Sequence, residues 1–281
     1  MRTHAGQYPL RSLCVALQVS KAGYYRWKDR KPSARARENA EIVQRLRALH
    51  AENRHIYGSP RMTRALRQEN IPCSENRVAR LMRTSNIRAK AKRRFARGFT
   101  STVVRYPAVD NRVNRVFQAP GPNRLWVADM TFIRTRQGWL YLAAILDVYS
   151  RKIVGWSTGA QPTAQLAQQA IERALGQRRV APGLIHHSDQ GAQYANHQYQ
   201  TFLRTRGFVP SMSRKGNCYD NAMMESFFHT LKMEHVYWHS YESRQQAETS
   251  LFDFIELFYN PQRLHSGLGY KSPADYERRR T

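Results

Sequence analysis

Cysteine is nearly missing from this chain. The three present among 281 residues, Cys14, Cys73 and Cys218, lie far apart and form no CxxC pair. That excludes a disulfide framework and a zinc knuckle, and it leaves buried or idle thiols. Long apolar runs are missing too: no stretch approaches the roughly 18 residues of a membrane span. There is no basic amphipathic helix with a broad apolar face, and MRTHAGQYPL carries no signal-peptide pattern. No membrane partner is expected, and a cytoplasmic location is. Acidic side chains are the third shortage, 20 against 46 basic ones, for a net charge of +26. Solubility needs far less, and the polyanion that such a surface meets most often is nucleic acid.

What is present is a globular composition, 41% apolar and 11% aromatic, in a chain long enough for one sizeable core and one or two small modules. The charge is uneven. Residues 1–124 hold 28 basic and 7 acidic side chains, the remainder 18 and 13, so the first part is expected to grip the polyanion. There, ENAEIVQRLRALHAEN (38–53) repeats Ile42, Leu46 and Leu49 as a helical stripe. SPRMTRALRQEN follows, ended by Asn70 and Pro72, and SENRVARLMRTSNI opens on Ser74 as N-cap with Glu75 suiting the helix dipole. Helix, turn, helix, with Arg77, Arg80 and Arg83 along the second, is the layout of a helix-turn-helix that reads the major groove. A solvated basic helix on a small bundle is the plainer alternative. The tract RAKAKRRFARG (88–98), with Lys92, Arg93 and Arg94, suits phosphate contacts. Upstream, Val19-Ser20 reads as a turn and Tyr24, Tyr25 and Trp27 as core in preference to stacking residues. The expected domains are a basic helical segment (1–37), the DNA-binding region with its basic tract (38–98), a linker (99–123) and a catalytic core with a helical tail (124–281).

The second half reads as three strands, LWVADMTFI (125–133), WLYLAAILDV (139–148) and KIVGWST (152–158). A helix (163–175), a strand (183–189), a helix (197–207) and a strand (208–213) follow, and then the helix of SRKGNCYDNAMMESFFHTLK. This is the order of an α/β, ribonuclease-H-like mixed sheet with flanking helices, preceded here by an all-α helix-turn-helix region. Asp129 lies inside an apolar strand, where a carboxylate is costly without a partner. Asp189 ends a strand, and Glu225 stands on the last helix. In such a fold the three converge, and three carboxylates repel one another unless cations neutralise them. Two Mg2+ ions about 4 Å apart, with Mn2+ able to substitute, would serve an in-line displacement at phosphorus.

These residues also carry a resemblance. WVADMTFI, YLAAILDVYSRKIVGW, HHSDQGAQY, SMSRKGNCYDNAMMESFFHTLKMEH and FYNPQRLHSGLGYKSPADY resemble the OrfB-type insertion-sequence transposases of insertion-sequence family three. Those enzymes share a DDE core with retroviral integrases. The likeness runs through nearly the whole chain, and its most specific element is the 35 residues between Asp189 and Glu225. It implies that Asp129, Asp189 and Glu225 are the catalytic, metal-binding triad, and that the chain cleaves element ends and joins them to DNA. It implies as partners double-stranded DNA at the terminal inverted repeats and at the target, a homo-oligomer on that DNA, and an upstream OrfA protein joined by frameshifting. In the bacterial cytoplasm such a protein would associate with the nucleoid when bound to DNA.

Neighbouring residues have plainer readings. Asp147 is expected to accept hydrogen bonds from its own turn rather than to act as a fourth ligand, and Asp220 to cap the helix that follows. His186 and His187 alternate on a strand, so one of them could stand beside the metals. Lys232, two helical turns after Glu225 on the same face, is expected to contact DNA, as the resemblance to integrases also implies. Arg263 and His265 are expected either on the same DNA-facing edge or packed against the core. Two rival functions are a catalytically idle DNA-binding repressor and a ribonuclease-H-like nuclease without strand transfer.

Overall fold

A computed structural model of the protein describes residues 6–90, 109–214 and 218–278, and its chain divides into two compact units, Met1–Ala89 and Lys90–Thr281. In the first unit α1 (Leu10–Ala16) and α2 (Lys21–Lys28) flank the predicted turn, and the Ser20 hydroxyl starts α2 by accepting from the Gly23 N–H. Tyr24 is buried, but Tyr25 and Trp27 are 49% and 55% exposed, which overturns their reading as core. Tyr25, one residue on, falls off the stripe of Tyr24, whereas Trp27 shares it, with ring centroids 6.0 Å apart, yet keeps more than half of its surface in solvent. The third helix, α3 (Ala34–Glu52), begins at Ala34 rather than Glu38 because Ser33 caps it from the Ala36 N–H.

Next come α4 (Ser59–Gln68), with Pro60 in its first turn, and α5 (Glu75–Thr84), capped by Ser74 from the Arg77 N–H as its sequence predicts. Leu46, Met62, Leu66 and Val78, all with no exposed surface, close a small core between α3, α4 and α5. Burial of each is worth about 1.5–3 kcal/mol. Arg45 bridges from α3 to Glu69 beyond α4 and also to Glu52, and Arg67 donates to the Cys73 carbonyl, so the turn into α5 is tied at both ends.

The second unit is a five-stranded sheet in the order β3-β2-β1-β4-β5. Strands β1 (Leu125–Thr135), β2 (Gly138–Asp147) and β3 (Ile153–Gly159) form an antiparallel meander. Then α6 (Ala164–Gln177) crosses to β4 (Ile185–Ser188), which runs parallel to β1, and α7 (Ala192–Ala195) and α8 (His197–Thr205) lead to β5 (Val209–Met212), parallel to β4. This is the ribonuclease-H-like topology. One face packs on α6 and α8 through Trp126, Ile145, Val154, Ile171, Tyr199 and Leu203. Gly155 is required there, since a Cβ would meet the Ala170 carbonyl oxygen at 2.2 Å. Against the sheet also pack α9 (Ala222–Glu234) and α10 (Arg244–Phe252), which continues as a π-helical stretch, Asp253–Tyr259; α11 (Pro273–Arg278) ends the described chain.

Residues 109–123, expected as linker, are part of this unit. Val113 is buried, the Arg112 N–H donates to Ser211 Oγ, and the Asn123 N–H donates to Asp147. The segment's low helical period signals irregular backbone, which here is docked rather than free.

Candidate active site

Parallel pairing of β1 with β4 runs from Leu125↔Ile185 to Val127↔His187 and stops there. Asp129 and Asp189 follow two residues beyond that last pair on their respective chains, so the sequence places a carboxylate on each side of the point where the strands part. Both are half-buried. One Asp129 oxygen accepts from the Met130 N–H at 2.7 Å, and one Asp189 oxygen from the Gly191 N–H at 2.9 Å.

Glu225 lies in the first turn of α9, which packs on β1, and its side chain is exposed. An amide that the sequence did not mark helps to fix that helix: the Asn221 Nδ2 donates to the Ala128 carbonyl at 3.2 Å, joining the start of α9 to the residue before Asp129. Its signal in the sequence was position alone, four residues ahead of Glu225.

The carboxylates act on one another. Burial first, and then the negative charges of Asp189 and Glu225, push the Asp129 pKa well above the ordinary carboxylate value; the Met130 N–H and the Lys232 ammonium oppose them. Burial also raises Asp189 against the Gly191 N–H. Lys232 is half-buried, with its Nζ 4.8 Å from the centre of the Phe132 ring. Burial lowers its pKa and the charge of Asp129 opposes the fall. The four side chains therefore share one electrostatic neighbourhood. Among the described residues, no three His, Cys, Asp or Glu side chains close around a single point, so the constellation is open.

Other expected residues fall elsewhere. Asp147 keeps its turn role, with no exposed surface: it accepts from the Asn123 and Tyr149 N–H groups and pairs with Arg178. Asp220 does not cap α9. The cap residue is Asn221, and Asp220 sits in a 3-10 turn, Cys218–Asn221, where it accepts from the backbone and guanidinium of Arg214, from Arg115 and from Asn111. A buried carboxylate recruits charged donors in preference to a helix end, and Arg214 above all holds its pKa far below the usual range.

Both strand histidines are buried because the sheet is covered on both faces. His186 contacts the Tyr199 hydroxyl, and His187 contacts Ser211, Ser213 and the Asp220 carbonyl. Arg263 and His265 are buried as well, Arg263 pairing with Glu234 and touching His265, so they belong to the core and not to a DNA-facing edge. On α5, Arg80 and Arg83 are exposed, whereas the Arg77 guanidinium is engaged by Glu38 and Asn39 of α3. Lys92, Arg93 and Arg94 lie outside the described residues.

Three regions of the chain match known protein families. Residues 119–218 match a family model described as an integrase core domain, residues 225–280 match a second integrase core model, and residues 36–95 match an HTH-like domain. The transposase of insertion sequence element IS904 from Lactococcus lactis is 41% identical over 89% of this chain and 98% of its own length. The transposase InsF of insertion sequence IS3A from Escherichia coli is 37% identical over 98% and 96%. A solved chain of a simian T-cell lymphotropic virus intasome aligns over 83% of this chain and 74% of its own at 12% identity, with a TM-score of 0.48. With likeness to such relatives over nearly its whole length, an integrase core and a helix-turn-helix-like region before it, the chain belongs to the IS3-type insertion-sequence transposases.

Proposed function

We propose that this transposase cuts one strand at each end of its element to free a 3′ hydroxyl, and then joins that hydroxyl to a second phosphodiester, with Asp129, Asp189 and Glu225 as its metal ligands. The observation that carries the reading is placement: Asp129 and Asp189 stand two residues beyond the last β1–β4 pair and Glu225 in the first turn of the helix packed on β1, and beside the effect of burial the charges of Asp189 and Glu225 repel that of Asp129. An integrase core is a divalent-metal core. A set of carboxylate oxygens from β1, the end of β4 and α9 suits a hard cation such as Mg2+, and binding it would relieve that repulsion. When bound, two such ions, Mg2+ or Mn2+, would supply activation of the attacking oxygen and stabilisation of the leaving 3′ oxygen.

The chain's own groups do the positioning. The Met130 and Gly191 N–H groups fix one oxygen each of Asp129 and Asp189. Asn221 ties the Glu225 helix to β1. Lys232, held over Phe132 beside Asp129, places a positive charge where a substrate phosphate would lie. Arg80 and Arg83 on α5 would read the terminal inverted repeat, and Lys92, Arg93 and Arg94 would contact its phosphates. The working complex is a homo-oligomer that holds two ends and target DNA in the bacterial cytoplasm at the nucleoid, with an OrfA protein joined upstream by frameshifting.

The test is Glu225→Gln. Cleavage of an end-bearing duplex in Mg2+ should fall on the order of 1000-fold or more, as when a charge-stabilising group is lost from a reacting centre, while affinity for that duplex stays within a few-fold. Equal cleavage by mutant and parent would remove Glu225 from the triad.

A further inference from the structure

We infer that Arg214 and Arg115, held side by side on the buried carboxylate of Asp220, form a phosphate-binding site for the DNA strand that enters the active site; the inference rests on the reading of Asp189 as part of that site. Arg214 follows β5 closely. The pairing of β4 with β5 ends at Ser188↔Met212, and the Ser213 N–H donates to the Ser188 carbonyl. Arg214 therefore emerges at the same end of the sheet as Asp189, one strand over.

Arg214 Nε and Nη2 each lie 2.9 Å from a different oxygen of Asp220, a fork-on-fork pair, and its backbone N–H adds a third bond at 3.0 Å. Arg115 reaches the same carboxylate from the segment before β1, its Nε at 3.1 Å. That segment is braced for the purpose. Asn114 and Arg115 both have left-handed backbone, φ 46° and 65°, which residues with side chains adopt rarely and mostly where surroundings enforce it. Asn111 holds the turn by accepting from the Val113 and Asn114 N–H groups while its own amide donates to Asp220.

Asp220 is fully buried, whereas the side chains of Arg214 and Arg115 are 53% and 51% exposed. Arg214 is held by two of its nitrogens on Asp220 while half of its side chain faces solvent. The two bonds to Asp220 use only part of the five-donor fork of Arg214. A planar cation fixed by one bidentate partner and open on its other edge is suited to a phosphate oxygen pair.

The test uses the full chain carrying Glu225→Gln, so that DNA is bound and not cut, and measures affinity for an element-end duplex across a range of NaCl. Arg214→Gln should make the slope of log K against log salt shallower by about 0.9, and the double variant with Arg115→Gln by about 1.8. In the otherwise native chain, Arg214→Lys should keep the slope but lose strand transfer by about tenfold or more, because lysine cannot hold the fork. If Arg214→Gln lowers the melting temperature, Arg115→Gln alone, which leaves the bidentate pair intact, carries the test with an expected change of about 0.9. Slopes equal to the parent's in variants that melt normally would overturn the inference. Normal cleavage by the Glu225→Gln parent would instead sink the triad, leaving the slopes to decide this site on their own.

Discussion

Two sets of carboxylates in the catalytic unit are buried or half-buried, and they are treated in opposite ways. Asp147 and Asp220 have guanidinium partners and two or more N–H donors each. Asp129 and Asp189 accept one backbone N–H apiece and lie in each other's field and, for Asp129, in that of Glu225. Burial raises Asp147 as well, but its donors and Arg178 oppose the rise. Burial alone therefore marks neither role. The distinguishing feature is what surrounds the charge, which is protein donors for Asp147 and Asp220 and other carboxylates for the set proposed to hold metal.

That contrast breaks first under substitution. Asp147→Ala strands two backbone N–H groups and one of the partners of Arg178, and loss of one member of a buried pair costs roughly 3 kcal/mol or more. Asp129→Asn removes a repulsion and should leave stability in metal-free buffer unchanged or raised. The same substitution should abolish the stabilisation that Mg2+ confers on the parent chain, which would reach about 2.7 kcal/mol at a hundredfold excess over Kd. Thermal melts of the parent and both variants, with Mg2+ and with chelator, make the comparison. A fall for Asp129→Asn as large as that for Asp147→Ala would put both residues in one structural class.

The strands were legible because β1, β2 and β3 are rich in β-branched and aromatic residues between clear turns, and the helix pair was legible because Asn70 and Pro72 break the chain before Ser74 caps the next helix, although a plain basic bundle fitted the same signals. The proposed triad of Asp129, Asp189 and Glu225 rests in the sequence on spacing and flanking strings. The partners of Asp220 were not. Arg115 and Asp220 are joined across 105 positions, and an acid just before a helix suggests a cap until tertiary structure supplies stronger donors. Arg263 and His265 stayed open between a DNA-facing edge and the core for a related reason: polar residues in a Gly- and Pro-bearing stretch suggest surface, and the pairing of Arg263 with Glu234 on a neighbouring helix is what permits their burial. Side-chain ion pairs between distant segments leave no periodic trace.

A gradual effect should appear with pH. His186 is fully buried against Tyr199 and Phe208, and burial first, with the neighbouring His187, pushes its pKa down to about 3 from an ordinary 6.5. The unfolded chain binds a proton in that interval that the folded chain refuses. Stability from this group is therefore complete above pH 6.5 and is lost as pH falls toward 3, by at most about 1.4 kcal/mol for each pH unit. His186→Phe should flatten this part of the profile. Denaturant titrations between about pH 4 and 7 compare the two slopes, and identical slopes would mean that His186 is reached by water or protonated in the fold.

The finest comparison lies on one helix. Arg77 is turned into the N-terminal unit by Glu38 and Asn39, whereas Arg80 and Arg83 stand exposed on α5. If α5 lies in the major groove, Arg80→Ala and Arg83→Ala should weaken binding to element ends. An arginine that contacts a phosphate should lower the salt slope by about 0.9 on any duplex. One that contacts a base should leave the slope nearer the parent's and reduce the preference for the end over a scrambled sequence by roughly 1–3 kcal/mol. Arg77→Ala should lower the melting temperature by loosening α3 from α5 and leave both slope and preference near the parent values. Affinity measured on matched end and scrambled duplexes at several salt concentrations separates these outcomes. A loss of preference in Arg77→Ala without any change in melting would place that guanidinium on the DNA after all, and would make its bonds to Glu38 and Asn39 a resting arrangement that DNA displaces.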